Sequence, residues 1–455
     1  MNKLTAVVLA AGKGTRMKSA LPKVLHKVGG KAMLAHVVAA AKAAGAARTV
    51  VVTGFGSDAV EAAFKGEDVE FVRQEEQLGT GHAVLQTEKA LGGESGTILV
   101  LCGDTPLLTC EVLKNLCAEH EKSSAKATVL TAILPDAAGY GRIVRSDDGT
   151  IEKIVEQKDA SVEEQKITEI NSGIYCFDAQ ALFAALHKVG NDNAQGEYYL
   201  PDVLKILRDD GEKIYATATN DFEVVSGINS RAQLAAAEKI LRRRKNEELM
   251  AAGVTLMDPD TVFVDVDVKI GRDTVIYPFT WIEGKTVIGE NCEIGPNCRL
   301  QNMTIGNFVT GQFLYAHDAT VCDGASLGQF VHLRPDTKID EGVKIGNFVE
   351  VKNSTVGKGS KLPHLSYIGD CDMGAGVNMG CGTITVNYDG KNKFRTVIGD
   401  NVFVGCNSNL VAPVKLEDNV YVGAGSTITK DVPNGDLAIA RARQTNIDHW
   451  ADKRK

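Results

Sequence analysis

An aliphatic residue recurs every six positions through most of the chain after residue 260, and no other feature restricts the fold as strongly. The spacing matches neither the period of a helix, about 3.6 residues, nor the two-residue alternation of an ordinary strand. One such repeat cannot bury its apolar side chain, whereas stacked coils place all of these side chains in a single interior column. The recurring positions are Ile276, Ile282, Ile288, Ile294, Leu300, Val321, Leu327, Leu333, Ile339, Ile345, Val351, Val356, Leu362, Ile368, Met373, Met379, Ile398, Val404, Leu410, Leu416, Val422 and Ile428.

Two segments interrupt this period. Residues 311–320 (GQFLYAHDAT) lack the pattern, and the sequence alone offers no explanation for the lapse. Residues 384–396 (ITVNYDGKNKFRT) are polar, and we expect them to leave the stack as a loop, because insertions in repeat arrays commonly form loops on a binding face. We also expect the flanks of such an array to be covered by oligomerisation.

The first 229 residues follow a different pattern, in which short β-branched runs alternate with helical ones. The alternation predicts a mostly parallel sheet with helices on both faces, whose ligands bind beyond the carboxyl ends of the strands. Residues 230–250 predict a long helix that links this domain, 1–229, to the repeat domain, 251–455. The clearest predicted elements are the strands Ala6–Ala10, Thr49–Thr53, Thr97–Cys102 and Ala127–Ile133 and the helices Met33–Ala43 and Gly81–Ala90.

Composition restricts the partners and the compartment. A formal charge of −8 without a strongly basic domain argues against a general nucleic-acid binder. Ten cysteines are scattered singly, with no CxxC pair, which predicts reduced thiols and a cytoplasmic protein. No run of about 20 apolar residues occurs, so we expect no membrane association.

A glycine-containing segment directly after the first predicted strand, LAAGKGTRMKSALPK at 9–23, has the character of a phosphate-binding loop. Gly12 and Gly14 let backbone amides approach a phosphate, and Arg16 and Lys23 can neutralise its charge. The segment matches neither GxGxxG nor the Walker A pattern. A plain glycine turn with solvated lysines is the alternative interpretation.

Two further segments of the first domain fit a nucleotide site. QLGTGHA (77–83) places Gly79 and Thr80 just before a predicted helix, where backbone amides and a hydroxyl can contact a polar ring. Asp104 of LCGDTP follows a buried strand, which suits a Mg²⁺ ligand, although a lone aspartate there is often only a cap. The three segments together are more specific than any one of them.

Polar side chains also crowd the repeat domain between residues 334 and 393. Arginine and lysine suit a sugar phosphate. Histidine titrates near neutrality and can remove a proton from an amine, although a lone surface histidine is the plainer interpretation of His364. The residues concerned are Arg334, Lys352, His364, Tyr367, Asn387, Tyr388 and Lys393.

Together these motifs resemble those of the sugar-phosphate nucleotidyltransferases. With GYGRI, IVEQKDA, EINSG, QGEYYLPD and SGINS, the chain is similar over essentially its full length to the bifunctional N-acetylglucosamine-1-phosphate uridylyltransferase/glucosamine-1-phosphate acetyltransferase family. The resemblance implies an α/β Rossmann-like nucleotidyltransferase domain followed by a left-handed parallel β-helix of hexapeptide repeats. It also implies a homotrimer that uses Mg²⁺, with UTP and acetyl-CoA as co-substrates.

The resemblance further implies roles for individual residues. Lys23 and Arg16 would act on the phosphates, Asp104 and Asn229 would ligate Mg²⁺, and His364, assisted by Glu350, would be the general base of acetyl transfer. Contacts to UDP-N-acetylglucosamine would come from Leu9, Ala10, Ala11, Gly12, Lys23, Gln74, Gly79, Thr80, Gly103, Gly141, Glu156, Asn171 and Asn229. Contacts to glucosamine-1-phosphate would come from Arg334, Lys352, Tyr367, Asn378 and Lys393. Contacts to acetyl-CoA would come from Cys381, Asn387, Tyr388, Cys406, Ala424 and Arg441.

Two of these positions depart from the family pattern. Cys381 of NMGCGTI stands where alanine is usual, and Cys406 of VFVGCNS stands where serine is usual. A thiol is a poorer hydrogen-bond donor than a hydroxyl. The change from serine to cysteine at position 406 therefore predicts a weaker side-chain hydrogen bond. Because a thiol at a coenzyme A contact can be alkylated, we also expect thiol reagents to lower acetyl transfer with little effect on uridylyl transfer.

Two other functions remain to be weighed. The chain could be a nucleotide-sugar pyrophosphorylase with one activity, whose repeat domain serves only assembly or regulation. It could also be a non-enzymatic hexapeptide scaffold with a degenerate nucleotide site. His364, Lys393 and Asn387 oppose the first of these, and Lys23 and Asp104 oppose the second.

Overall fold

A computed structural model describes residues 3–147 and 149–454. The chain divides into two compact units, Met1–Leu241 and Arg242–Lys455. The division falls within one helix, Arg231–Ala251, at the place of the predicted linker. The domain limits drawn from the sequence stay predictions. In the described part of the chain, no helix has both the length and the apolar character that crossing a membrane requires.

The first unit is built on strands and helices that alternate along the chain. Its strands are β1 (Leu4–Ala10), β2 (Lys27–Val28), β3 (Lys31–Ala32), β4 (Arg48–Thr53), β5 (Glu70–Arg73), β6 (Thr97–Cys102), β7 (Ala127–Ile133), β8 (Gly141–Arg145), β9 (Ile151–Val155), β10 (Glu169–Asp178) and β11 (Ile214–Thr219). The α-helices, of which the last continues into the second unit, are α1 (Met33–Ala43), α2 (Ser57–Ala63), α3 (Thr80–Leu85), α4 (Glu88–Leu91), α5 (Cys110–Ser123), α6 (Ala179–Leu186), α7 (Asp202–Asp209) and α8 (Arg231–Ala251).

The main sheet of this unit has the spatial order β11-β7-β10-β6-β1-β4-β5, with β8 and β9 joined beside β10. β10 is antiparallel to β6 and β7, and the other pairs along this order are parallel. Side chains of β1 alternate between two hydrophobic clusters, with Ala6 and Val8 in one and Val7 in the other. A strand buried on both faces explains the continuous apolar run LTAVVLA. The predicted α/β architecture is confirmed.

One predicted helix of this unit is wrong in its extent. The segment predicted as Gly81–Ala90 forms two short helices, α3 and α4. The buried Thr87 hydroxyl donates a hydrogen bond to the carbonyl oxygen of Val84 at 2.7 Å. Such a local bond offers the backbone an alternative to a continuous helix.

The second unit is a parallel β-helix, in which short strands stack into three sheets. Face 1 contains Thr255–Leu256, Val275–Ile276, Glu293–Ile294, Thr310–Gly311, Ser326–Leu327, Lys344–Asn347, Lys361–His364, Asn378–Met379, Phe403–Val404, Tyr421–Val422 and Leu437–Ala438. Face 2 contains Phe263–Val264, Trp281–Glu283, Arg299–Gln301, Tyr315–His317, His332–Leu333, Glu350–Lys352, Tyr367–Gly369, Ile384–Val386, Asn409–Val411 and Thr427–Ile428. Face 3 contains Lys269–Ile270, Val287–Ile288, Thr304–Ile305, Ala319–Val321, Thr337–Ile339, Thr355–Val356, Cys371–Met373, Thr396–Ile398 and Val414–Leu416.

The interior of this β-helix is the aliphatic column predicted from the six-residue period. Every recurring aliphatic residue is at most 5% exposed and belongs to one continuous hydrophobic cluster. Successive coils pair in parallel and in register, as where Ile276 lies opposite Ile294. The predicted left-handed hexapeptide fold is confirmed.

The first lapse in the period has a packing explanation. Gly311, Ala316 and Val321 occupy successive interior positions, so two consecutive sides are one residue shorter than the repeat. Gly311 leaves volume in the interior that Leu314 fills, since a Cβ built at Gly311 would lie 2.5 Å from Leu314 Cδ1. The coil therefore remains closed although the sequence loses its six-residue spacing.

The second lapse is a loop, as expected, but a shorter one. Ile384–Val386 and Thr396–Ile398 remain strands of the stack. The chain leaves the stack only between them, where a β-bridge joins Tyr388 to Lys393. The predicted boundaries of this loop, 384 and 396, are therefore too wide.

Candidate active sites

The loops at the carboxyl ends of β1 and β6 enclose a cleft of about 280 Å³ in the first unit. This is the edge at which parallel sheets bind ligands. Most of the predicted nucleotide contacts line it together, namely Leu9, Ala10, Ala11, Gly12, Lys23, Gln74, Gly79 and Thr80, and the predicted metal ligand Asp104 lines it with them. Sequence reasoning missed Val24, Gln77, Ala83, Cys102 and Glu197, which share the wall. Apart from their position next to predicted residues, these carry no distinctive signal.

At one end of the cleft, Lys23 lies between the two predicted metal ligands. Its Nζ donates to Asn229 Oδ1 at 3.0 Å and contacts Asp104 Oδ2 directly. The amide of Ile228 donates to the carbonyl oxygen of Asp104 at 2.9 Å, which ties the segment around Asn229 to the loop after β6. A carboxylate oxygen and an amide oxygen thus converge on one cation. Hard oxygen donors of this kind fit Mg²⁺, which usually takes its remaining ligands from phosphates and water.

The side of the cleft around Gly79 is rigidly built. Gly79 has φ +109°, and a Cβ there would lie 2.6 Å from the carbonyl oxygen of Tyr198, so only glycine fits. Buried Gln74 donates from Nε2 to the carbonyl oxygen of Gly79 at 3.1 Å. The Thr80 hydroxyl accepts from the amide of Leu200 at 3.1 Å. These bonds position the backbone next to the cleft.

A second group of predicted contacts forms a wall around Gly141. A Cβ at Gly141 would lie 3.2 Å from Glu156 Oε1 and 3.5 Å from Asn171 Cβ. Asn171 Oδ1 accepts from the Tyr175 hydroxyl at 2.9 Å, which orients the amide. Burial raises the pKa of Glu156, and three nearby carboxylates, of Asp159, Asp202 and Glu197, raise it further. This wall can therefore present both an amide and a carboxyl group to a polar ligand.

Two predicted contacts stand apart from the others. Arg16 lies exposed on the 3-10 turn Thr15–Met17 and does not line the cleft. Gly103 contributes through its backbone, because its amide donates to the carbonyl oxygen of Leu9 at 2.9 Å and joins the ends of β1 and β6.

In the second unit, four of the predicted side chains gather around a carboxylate that sequence reasoning missed. Buried Asp370 accepts hydrogen bonds from Asn353 Nδ2 and Asn387 Nδ2, and Lys352 Nζ lies 3.9 Å away. Burial raises the pKa of Asp370, but the two amides, Lys352 and Lys393 outweigh that effect and hold it below its ordinary value. Hydrogen bonding with Lys352 lowers the pKa of Lys393, and the positive charge of Lys352 lowers it further. The fourth predicted side chain is Tyr367, whose hydroxyl lies 3.5 Å from Asn387 Nδ2.

Two neighbouring amines held beside one carboxylate form a site with spare positive charge. A phosphate can bind there through charge-assisted hydrogen bonds. Arg334 is neutralised separately, since its Nη1 donates to Glu350 Oε1 at 2.9 Å. In the described residues, Glu350 forms neither a hydrogen bond nor an ion pair with His364.

His364 lies exposed at the end of a face 1 strand, in a column of predicted acetyl-CoA contacts. The registers on both sides of this turn place His364 opposite Cys381, Cys381 opposite Cys406 and Cys406 opposite Ala424 on successive coils. Neighbouring parallel strands are about 4.8 Å apart. Arg441 Nη1 donates to the carbonyl oxygen of Ala424 at 2.6 Å and continues the column.

The remaining predicted contacts lie on either side of this column. Asn378 is in register with Lys361 on face 1. Tyr388 lies exposed on the loop between faces 2 and 3, and its hydroxyl donates to the carbonyl oxygen of Gly390 at 2.6 Å. Asn387, at the base of that loop, is buried against Asp370 and therefore links the loop to the two lysines.

Comparison with known proteins places both units in one family. Residues 6–139 match the MobA-like NTP transferase domain, and residues 267–302 and 395–430 match the bacterial transferase hexapeptide family. The chain is 56% identical over 454 residues to Bifunctional protein GlmU of Halalkalibacterium halodurans, covering 100% of both chains. It is 54% identical over 453 residues to the Geobacillus sp. protein of the same name, covering 100% of this chain and 98% of that one. It is 53% identical over 446 residues to the Listeria monocytogenes protein, covering 98% and 97%. The family predicted from the motifs is thereby confirmed, and the chain belongs to the bifunctional GlmU proteins.

Proposed function

We propose that the chain carries both predicted activities. Its first unit transfers UMP from UTP to N-acetylglucosamine-1-phosphate, and its second unit acetylates glucosamine-1-phosphate with acetyl-CoA. The observation that carries this proposal is the presence of two separate lysine–aspartate sites in one chain, one around Lys23 and Asp104 and one around Lys352, Lys393 and Asp370.

In uridylyl transfer, a phosphate oxygen of the sugar-1-phosphate attacks the α-phosphate of UTP, and the bond to pyrophosphate breaks. No protein nucleophile is required, because positioning and charge stabilisation are sufficient for this displacement. Lys23, at the end of the phosphate loop 9–23, neutralises charge on the phosphates. Gly141, Glu156 and Asn171 orient the sugar.

Asp104 and Asn229 would hold Mg²⁺, which when bound supplies charge neutralisation to the phosphates. Both oxygens already face a cation, the Lys23 ammonium. The charge of Lys23 therefore stabilises the ligand pair before substrates arrive. Once a phosphate enters, the same side chain can turn to it.

In acetyl transfer, the amine of glucosamine-1-phosphate attacks the thioester carbonyl, the C–S bond breaks and CoA leaves as a thiol. His364 takes the proton that the amine loses. Lys352 and Lys393 bind the sugar phosphate, and Asp370 keeps the two lysines in place. The column Cys381, Cys406 and Ala424 lies along the path of acetyl-CoA.

The second activity also depends on a trimer. Exposed Phe330, Phe348 and Leu365 form an apolar column at the corner between faces 1 and 2, which half-buried Phe313 extends, and the Phe330 and Phe348 rings stack at 5.1 Å. Leu365 adjoins His364, so a second copy packed on this column would close the histidine site. We expect a solution mass of three times 48.6 kDa by light scattering. The double variant Phe330→Glu/Phe348→Glu should give monomers that lose acetyl transfer and keep uridylyl transfer.

One assay separates the bifunctional enzyme from the two alternatives. The protein receives glucosamine-1-phosphate, acetyl-CoA, UTP and Mg²⁺, and free CoA and pyrophosphate are measured separately. Both products should appear. Pyrophosphate only after addition of N-acetylglucosamine-1-phosphate, without CoA, would establish the single-activity pyrophosphorylase, and neither product would establish a scaffold.

Variants of two histidines test the assigned base. His364→Ala should abolish CoA release while uridylyl transfer from supplied N-acetylglucosamine-1-phosphate continues. His187→Ala is the matched control, because His187 is an exposed histidine of the first unit that pairs with Glu88. Unchanged CoA release in folded, trimeric His364→Ala would contradict the assignment.

A further inference from the structure

Arg142, on β8, is a buried guanidinium without an opposite charge. The residue is only 3% exposed. Its Nη2 donates to Gln157 Oε1 at 2.8 Å and its Nη1 to the carbonyl oxygen of Tyr140, so both partners are neutral. Its Nε is buried and has no hydrogen-bond partner. Among residues 3–147 and 149–454, no carboxylate forms an ion pair with it.

Burying the Arg142 guanidinium in this way is unfavourable unless an opposite charge or a further hydrogen-bond acceptor joins it. A charge removed from water without a paired opposite charge is costly, and native proteins leave few buried polar groups unsatisfied. Arg145, three residues along the same strand, shows the ordinary solution, since its Nε and Nη2 donate to Glu169 at 2.7 and 2.6 Å. Arg142 has the same chemistry and lacks the carboxylate.

A cavity of about 260 Å³ adjoins Arg142. Its polar wall includes Gln157, Gln165 and Lys166. Lys166 pairs with Glu163 at 2.8 Å, and Gln165 Nε2 donates to the carbonyl oxygen of Ala160 at 3.0 Å. Asp136 is also in the wall, and its Oδ1 accepts from the amide of Ala138 at 3.0 Å. A water molecule occupies about 30 Å³ in the liquid, so the cavity has room for an oxyanion and several waters.

We propose that this cavity binds a small oxyanion, the phosphate or carboxylate group of a soluble metabolite, on the Arg142 guanidinium. Guanidinium N–H groups donate charge-assisted hydrogen bonds to such a group. Here Nη1 and Nη2 each keep a second hydrogen beyond their bonds to Tyr140 and Gln157. The anion supplies the missing opposite charge.

The anion site is separate from the nucleotide cleft, but its residues are chain neighbours of the predicted sugar contacts. Successive strand residues point to opposite faces, so Arg142 lies behind Gly141, and Gln157 directly follows Glu156. None of the residues that line the cavity lines the nucleotide cleft. An anion held by Arg142 would fix the strands that carry the sugar-binding wall.

Hydrogen–deuterium exchange of the full-length protein tests the proposal. Inorganic phosphate and malonate, each titrated against chloride at constant ionic strength, should protect peptides covering 135–143 and 157–168 in a saturable way. Protection by phosphate, by malonate or by both supports the oxyanion site and identifies the source of the group. If neither phosphate nor malonate protects these peptides, the proposal is overturned.

Variants connect the protection to the guanidinium. Arg142→Lys keeps the charge but removes the fork, and it should raise the anion concentration for half-protection at least tenfold. Arg145→Met removes the same charge from the same strand and should leave that concentration unchanged. If Arg142→Lys does not fold, the exposed-wall variant Gln165→Leu/Lys166→Met should weaken protection severalfold. Equal protection in wild type and Arg142→Lys, or in wild type and the wall variant, would refute the assignment.

Discussion

Alkylation of Cys406 should inactivate one activity of this protein and spare the other. Of the cysteines in the described residues, Cys406 alone is exposed. It is in register with Cys381, which in turn is in register with His364 on the coil beyond. The amide of Asn407 donates to the carbonyl oxygen of Cys381 at 2.7 Å, so the coils are too close to absorb an adduct between them. The adduct must project into the proposed acetyl-CoA path.

The selectivity of the reagent can be estimated from burial. Burial raises the pKa of the Cys102 and Cys371 thiols from 9.0 to about 12 and that of Cys298 to about 11. The thiolate is the reactive form. A pKa of about 12 instead of 9.0 lowers the thiolate fraction near pH 7.5 about 1000-fold, before the loss of access is counted. Iodoacetamide should therefore modify Cys406 well before these buried thiols.

The assay follows both activities and the modified residues in one sample. Iodoacetamide is added, CoA release and pyrophosphate release are measured over time, and peptides are identified by mass spectrometry. CoA release should fall as Cys406 is modified, acetyl-CoA should protect, and pyrophosphate release should persist. Cys406→Ser should resist, with Cys381→Ala as the companion variant. Equal loss of both activities, or unchanged sensitivity in the double variant Cys381→Ala/Cys406→Ser, would refute the reasoning.

Three further changes test the two units. Lys23→Ala should lower uridylyl transfer about 10²–10³-fold by removing a preorganised cation, with CoA release as the unaffected control; a smaller loss would contradict the role of Lys23. Leu362→Ala should lower the free energy of unfolding by about 2–5 kcal/mol in urea titrations, because it opens a cavity in the interior column, whereas exposed Lys361→Ala should change it little. Asp370 has a lowered pKa, so the stability it contributes is present above pH 3.8 and is lost as pH falls through the lower folded value. Asp370→Asn should therefore flatten the acid limb of urea midpoints below that pH, and an unchanged limb would contradict the network.

The β-helix was the most predictable part of the molecule because its six-residue period can be read from short stretches of sequence. Each interior position, such as Ile288 or Val404, needs only a neighbour one coil away, so the repeat itself defines the core. The lapse at 311–320 could not be explained in this way. Its coil closes because Leu314 fills the volume beside Gly311, and that compensation exists only in three dimensions.

The site residues likewise fall into those that the sequence could predict and those that only the packed structure shows. The phosphate loop and Asp104 follow strands whose ends meet at one edge, so their proximity could be predicted. Asp370 could not, because nothing in GDCD indicates that two amides and two lysines converge there. Arg142 was passed over for a related reason: in GYGRI only Gly141 was assigned a role, and the missing partner of Arg142 is a property of the packed structure.

The stacked coils also bear on how the chain becomes folded during synthesis. Strands of the β-helix pair with partners 16 to 25 residues away, as Leu300 with Ala316 and Met379 with Val404. In the first unit, β1 pairs with β6, where Leu4 of β1 lies opposite Thr97 of β6, so this pair cannot form until β6 has been synthesised. Short loops close at low entropic cost, so the carboxyl-terminal half can be added to a growing end one turn at a time as it leaves the ribosome, whereas the amino-terminal half is held open until most of its sheet has been translated.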